Sequence, residues 1–152
     1  MPQGKHSRLQ LKLCNALNQV AEERRIALAF PQLRCTFGGR SIVPDVTVFE
    51  WARIPFDADG EVENVFDIYP DWTIEIFSPD QKSTKVISNI LHCLNYGTQL
   101  GWFIDPDERS VLAFLPNQQP IELMGEDILP VPEFLELNLS VAQVFGWLKA
   151  RR

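Results

Sequence analysis

Long apolar runs are missing from this 152-residue sequence. None approaches the roughly 20 residues that a membrane helix needs, and the opening Met1-Pro-Gln-Gly-Lys-His lacks the apolar segment of a signal peptide. A cytoplasmic protein with no membrane partner is the expectation. Cysteine is scarce and unpatterned: Cys14, Cys35 and Cys93 are odd in number and form no CxxC pair. That argues against a disulfide framework and a zinc knuckle, and predicts reduced, mostly buried thiols. Internal repeats and low-complexity segments are absent too. Basic charge is thin beyond the first third of the chain. Residues 1–49 carry seven Lys/Arg against three Asp/Glu, whereas 50–152 carry seven against seventeen. Phosphate neutralisation by Lys and Arg supplies most non-specific affinity for nucleic acid, so this balance disfavours indiscriminate binding but leaves room for a local basic cleft.

What is present suits one globular domain over 1–152, with 45% hydrophobic and 22% charged residues. Leu9, Leu13, Ala16, Leu17 and Val20 recur at helical spacing and predict an amphipathic helix from Arg8 to Ala21. Ile26 to Phe30 and Leu33 to Phe37 read as strands, and Gly38-Gly39-Arg40 as the turn of a hairpin continuing through Ser41 to Phe49. Residues 51–70 read as an acidic, exposed loop. Trp72 to Phe77 is the next strand. Ser78-Pro79-Asp80-Gln81 then offers a capping box, predicting a helix that starts there and ends near Gly97. Its apolar side is Val86, Ile87, Ile90, Leu91 and Leu94, and its opposite stripe Lys82, Lys85, Asn89, His92 and Tyr96. Strands at 100–104, 110–115 and 121–124 and a closing helix at 140–148 complete the chain.

Two carboxylates look out of place. Glu75 lies within the apolar strand "DWTIEIF", and Asp45 follows a proline inside the β-branched run Val43-Pro44-Asp45-Val46-Thr47-Val48. Aspartate is a poor strand former, and a buried carboxylate needs a partner or neutralises. Neighbouring strands can bring two such groups within reach of one ion, and hard oxygen donors completed by water and a substrate phosphate describe a magnesium site for phosphodiester cleavage.

The joint order of Pro44-Asp45, Glu75-Ile76-Phe77-Ser78-Pro79, a helix, and Gly101-Trp102-Phe103-Ile104-Asp105-Pro106 resembles the Uma family of restriction-endonuclease-like proteins, within the PD-(D/E)XK nuclease superfamily. The resemblance spans nearly the whole chain. It implies an α+β, restriction-endonuclease-like core with a mixed β-sheet flanked by helices, and an endonuclease that cleaves DNA. It also implies Mg2+ or Mn2+ as cofactor, held by Asp45, Glu75 and the main-chain carbonyl of Ile76. The superfamily's lysine two residues after the glutamate is Phe77 here, and counting along the helix puts the family's alternative lysine at Asn89. Lys85 and Lys82, earlier on the same stripe, are the candidates to replace it, and Asn89, His92 and Arg40 the candidates to line the cleft.

The competing expectation is a degraded site on the same fold, serving as a nucleic-acid or protein binding module. A homodimer suits either, since cleavage of both strands of a duplex fits a two-fold pair. Glu22 and Glu23 read more simply as solvated charge, Asp105-Pro106 as a turn, and Trp51, Trp72, Trp102 and Trp147 as core or interface residues.

Overall fold

Leu9, Leu13, Leu17 and Ala21, each four residues after the last, form one buried stripe of the first helix, α1 (Gly4–Ala21). The helix begins one turn before the expected Arg8, because His6 continues the stripe and is itself buried. The computed structural model describes residues 3–150, so the domain expected over 1–152 extends at both ends beyond the described residues. After α1 come β1 (Ala27–Pro31), β2 (Cys35–Phe37), β3 (Arg40–Ile42), β4 (Val46–Glu50), β5 (Trp72–Ile76), α2 (Ser83–Tyr96), β6 (Leu100–Asp105), β7 (Ser110–Phe114), β8 (Ile121–Met124) and α3 (Val141–Gly146). The result is a mixed α+β fold.

Six strands make one sheet in the order β1-β4-β5-β6-β7-β8. Every neighbour pair is antiparallel except β5 and β6, whose parallel pairing requires a crossover, supplied by α2. All five residues of β5 are buried, so its side chains alternate between two covered faces. Trp72, Ile74 and Ile76 join α1, α3, Trp102 and Ile104 in the main core, where Trp72 and Trp102 meet edge to face. On the other face Val86 and Ile90 of α2 pack on Phe103 and Phe114.

Gly101 sets that approach. A Cβ there would lie 2.5 Å from Ile90 Cγ2. Gly101→Val should therefore push α2 off the sheet and cost about 1–3 kcal/mol by overpacking; urea denaturation checks it, and an unchanged midpoint would contradict this packing.

Several expectations need correction. The run Ser41 to Phe49 is two strands in two sheets. Pro44 cannot donate to a ladder, so β3 stops at Ile42 and turns back on β2 as a separate hairpin, while β4 pairs with β1 and β5. Asp45 sits at the break. The loop 51–70 is exposed at its acidic tip but pinned elsewhere, with Ile54 and Phe66 buried and Phe66 bridged to Cys35. Only half of the expected Ser78–Gln81 box forms, within a free-standing turn: the Ser78 N–H donates to Gln81 Oε1 at 3.0 Å, but the Gln81 N–H donates to the Ser78 main-chain carbonyl, at 3.0 Å, rather than to its hydroxyl. The helix itself starts only at Ser83, with Lys82 at its N-cap. Leu91 is exposed and His92 buried, the reverse of the stripe assignment. The true capping box is at α3, between Ser140 and Gln143.

The three cysteines are free and buried, and burial pushes Cys14 up to about 11 and Cys35 and Cys93 up to about 12. They are inert thiols at neutral pH.

Candidate active site

Two buried carboxylates lie close together in sequence, one within β5 and one just ahead of it, and their surroundings differ. Asp71, just ahead of the strand, has a cation: Arg53 Nη1 lies 2.9 Å from its Oδ2, which also accepts the Glu50 N–H at 2.8 Å. Its burial is explained structurally. Glu75, 7% exposed, has no cation beside it among the described residues; its neighbour is a second carboxylate.

That neighbour is Asp45, 8% exposed. The Pro44 break lets its backbone N–H leave the ladder and donate to Glu75 Oε1 at 3.1 Å, while the Ile76 N–H donates to Asp45 Oδ2 at 2.7 Å. The Asp45 main chain thus holds the Glu75 carboxylate, and the main chain of the residue after Glu75 holds that of Asp45. Burial, and next the Asp45 charge, push the Glu75 carboxyl up to about 8. A pair in this state needs either a proton or a cation.

A third side chain enters from α1. His6, 5% exposed, places Nε2 3.0 Å from Asp45 Oδ1. One turn on, Gln10 Nε2 donates to the Asp45 carbonyl at 2.8 Å, and the Gln32 N–H donates to the same carbonyl at 3.1 Å. Sequence reasoning had not selected His6. The signal was there: it falls on the stripe of Leu9, Leu13 and Leu17, where a histidine must find a partner or stay unsatisfied.

The carboxylates form the floor of a cavity of about 540 Å3 that is also lined by Lys82, Lys85 and Asn89. Among the described residues no ion pair joins either lysine to Asp45 or Glu75, so both ammonium groups remain on the exposed wall. Phe77 is half-buried, its ring 5.3 Å from that of Phe103 in the apolar cluster under α2. Ile76 is buried to its tip, which leaves only its main chain to face the site.

Two cleft candidates lie elsewhere. His92 is covered by the β2–β3 hairpin, stacked on Phe37 at 4.7 Å with Nε2 2.9 Å from the Phe37 carbonyl. Arg40 stands on the exposed hairpin, its Nη1 3.5 Å from the Ser88 carbonyl and hydroxyl. Neither lines the carboxylate cavity.

The donor set fits a small, hard divalent cation: two carboxylates that cannot both stay charged unaided. No group of three or more His, Cys, Asp or Glu that could hold a metal occurs among the described residues. Any ion here would have few protein side chains as ligands and take the rest of its shell from a carbonyl, water and substrate, the habit of Mg2+ rather than of Zn2+.

Comparison with known proteins gives the family and the fold. Residues 1–143 match the family described as "Uma2: Putative restriction endonuclease", and the chain belongs to that family. A solved structure of a "putative nuclease belonging to DUF820" from Anabaena variabilis is 53% identical, with a TM-score of 0.96, and the match covers 98% of this chain and 84% of that one. No curated protein matches.

Proposed function

We propose that this chain is a divalent-metal-dependent endonuclease acting on DNA, with Mg2+ or Mn2+ as cofactor and Asp45, Glu75 and the Ile76 carbonyl as its ligands. The observation that carries the reading is the buried Asp45–Glu75 pair, with no cation beside Glu75 among the described residues, in a cavity whose wall bears Lys82 and Lys85. When bound, the metal would supply positive charge for a phosphate oxygen and lower the pKa of water. The chain's residues do the rest. Asp45 and Glu75 hold their oxygens in one fixed arrangement. Lys85, with Lys82 at the helix N-cap, swings a long side chain toward a phosphate entering the cavity and offsets charge developing there. Such a lysine replaces the one absent at Phe77 and Asn89.

A cytoplasmic location and a homodimer that cleaves both strands accompany this reading. No helix among the described residues is long and apolar enough to cross a membrane.

One observation favours the alternative, a binding module with a degraded site: among the described residues, neither lysine pairs with Asp45 or Glu75. The deciding experiment incubates supercoiled, linear and single-stranded DNA with the protein and Mg2+ or Mn2+. Cleavage that needs the metal and is lost in Glu75→Ala and Lys85→Ala is the expected result. Absence of cleavage on all three substrates overturns the enzyme in favour of the binding module.

A further inference from the structure

We infer that His6 is a positioning residue for Asp45, and that α1, through His6 and Gln10 together, sets the cation affinity of the carboxylate pair. The inference rests on the reading of Asp45 as a ligand. Asp45 needs such help because of where it lies. It falls between strands, at the Pro44 break, so its backbone is fixed by individual contacts rather than by a regular strand pairing. Its Oδ2 is held by the Ile76 N–H at 2.7 Å, but a carboxylate held at one oxygen still pivots about that contact. His6 Nε2, 3.0 Å from Oδ1, removes the pivot.

Gln10 completes the grip. At i and i+4 the two side chains share one face of α1, and Gln10 takes the Asp45 carbonyl at 2.8 Å while His6 takes the carboxylate. Asp45 is therefore held at both ends by one helix. Outer partners of this kind orient ligating carboxylates, and their loss typically weakens metal affinity about 10–100-fold.

A purely structural account of His6 meets a difficulty. Its Nδ1 is buried and has no hydrogen-bond partner. A leucine would extend the stripe of Leu9 and Leu13 without leaving an orphaned polar atom, whose burial costs free energy. What leucine lacks is the donor to Asp45.

The test compares the parent with His6→Leu, which keeps the bulk and loses the donor, and His6→Gln, whose amide nitrogen reaches where Nε2 stands. Two readouts are taken: Mn2+ affinity by calorimetry, and the backbone amide resonances of Asp45 and Ile76 in metal-free protein. His6→Leu should weaken Mn2+ binding about 10–100-fold and His6→Gln should restore most of it. In parallel, the Ile76 amide resonance should move in His6→Leu and return in His6→Gln. Where His6→Leu does not fold, His6→Asn takes its place, its amide too short to reach Asp45. An unmoved Ile76 resonance in the folded variant, or Mn2+ affinity equal to the parent's, overturns the role of His6. A parent that binds no Mn2+ overturns the metal site, and the Ile76 resonance then decides by itself whether His6 orients Asp45.

Discussion

Glu75→Gln is expected to make the metal-free protein more stable at pH 8 while abolishing Mn2+ binding and any metal-dependent cleavage. Burial and Asp45 raise the Glu75 carboxyl from its ordinary 4.5 to about 8. Between those values the folded state binds more protons than the unfolded one, so stability falls as pH rises. It is fully present below about pH 4.5 and lost as pH passes through about 8. Glutamine stays neutral, so the variant should not share this loss. The difference at pH 8 should reach on the order of a few kcal/mol. Urea denaturation at pH 5 and pH 8 measures it, and identical pH dependence in parent and variant would show that Glu75 is not strained by its site. Stability gained where binding is lost is the trade expected of a residue kept for function.

Asp71→Ala should have the opposite character. Removing Asp71 takes the carboxylate from Arg53, which keeps the Tyr69 carbonyl at 2.8 Å, and leaves the Glu50 N–H without its acceptor, for a loss of about 1–3 kcal/mol. Glu75 lies four residues further along the chain, roughly 13 Å away at strand spacing. Mn2+ affinity should consequently survive at temperatures where the variant is folded. Equilibrium unfolding and calorimetry on the same sample check both halves; a loss below 1 kcal/mol would mean the Asp71–Arg53 pair is held together by its surroundings rather than holding them. The two carboxylates of one short segment thus separate cleanly. One has a cation in place, and the other has a second carboxylate for a neighbour.

Legibility in the sequence followed the strength of local conflict. Glu75 was readable because a charge in "DWTIEIF" contradicts every neighbour, and Asp45 because aspartate after proline interrupts a β-branched run. His6 does not contradict its neighbours in sequence. It lies in the first turn of α1, three residues before Leu9, and its partner is 39 positions away, a pairing that only the packed fold creates. The hairpin over His92 escaped notice for the same reason: helical periodicity places His92 on the polar stripe, but Phe37 arrives from another sheet and covers it. The start of α2 misled differently. The Gln81 side chain does reach back to the Ser78 N–H, yet the Gln81 N–H meets the Ser78 carbonyl, the pair closes an isolated turn, and the helix begins without a side-chain cap. Local chemistry there was half right and its range wrong. Mixed sheet, crossover helix and family were legible because they rest on order along the chain.

The start of α1 carries one more consequence. Its N-cap, Gln3, makes no side-chain capping bond and its first turn opens with glycine, the residue with most backbone freedom to lose. Helix ends of this kind fray on fast timescales and open at far lower free energy than the core. His6 belongs to that first turn. Heat or mild denaturant should therefore release Asp45 from α1 while the sheet is still intact, so that amide hydrogens near Ser7 exchange early and function fades before the fold does.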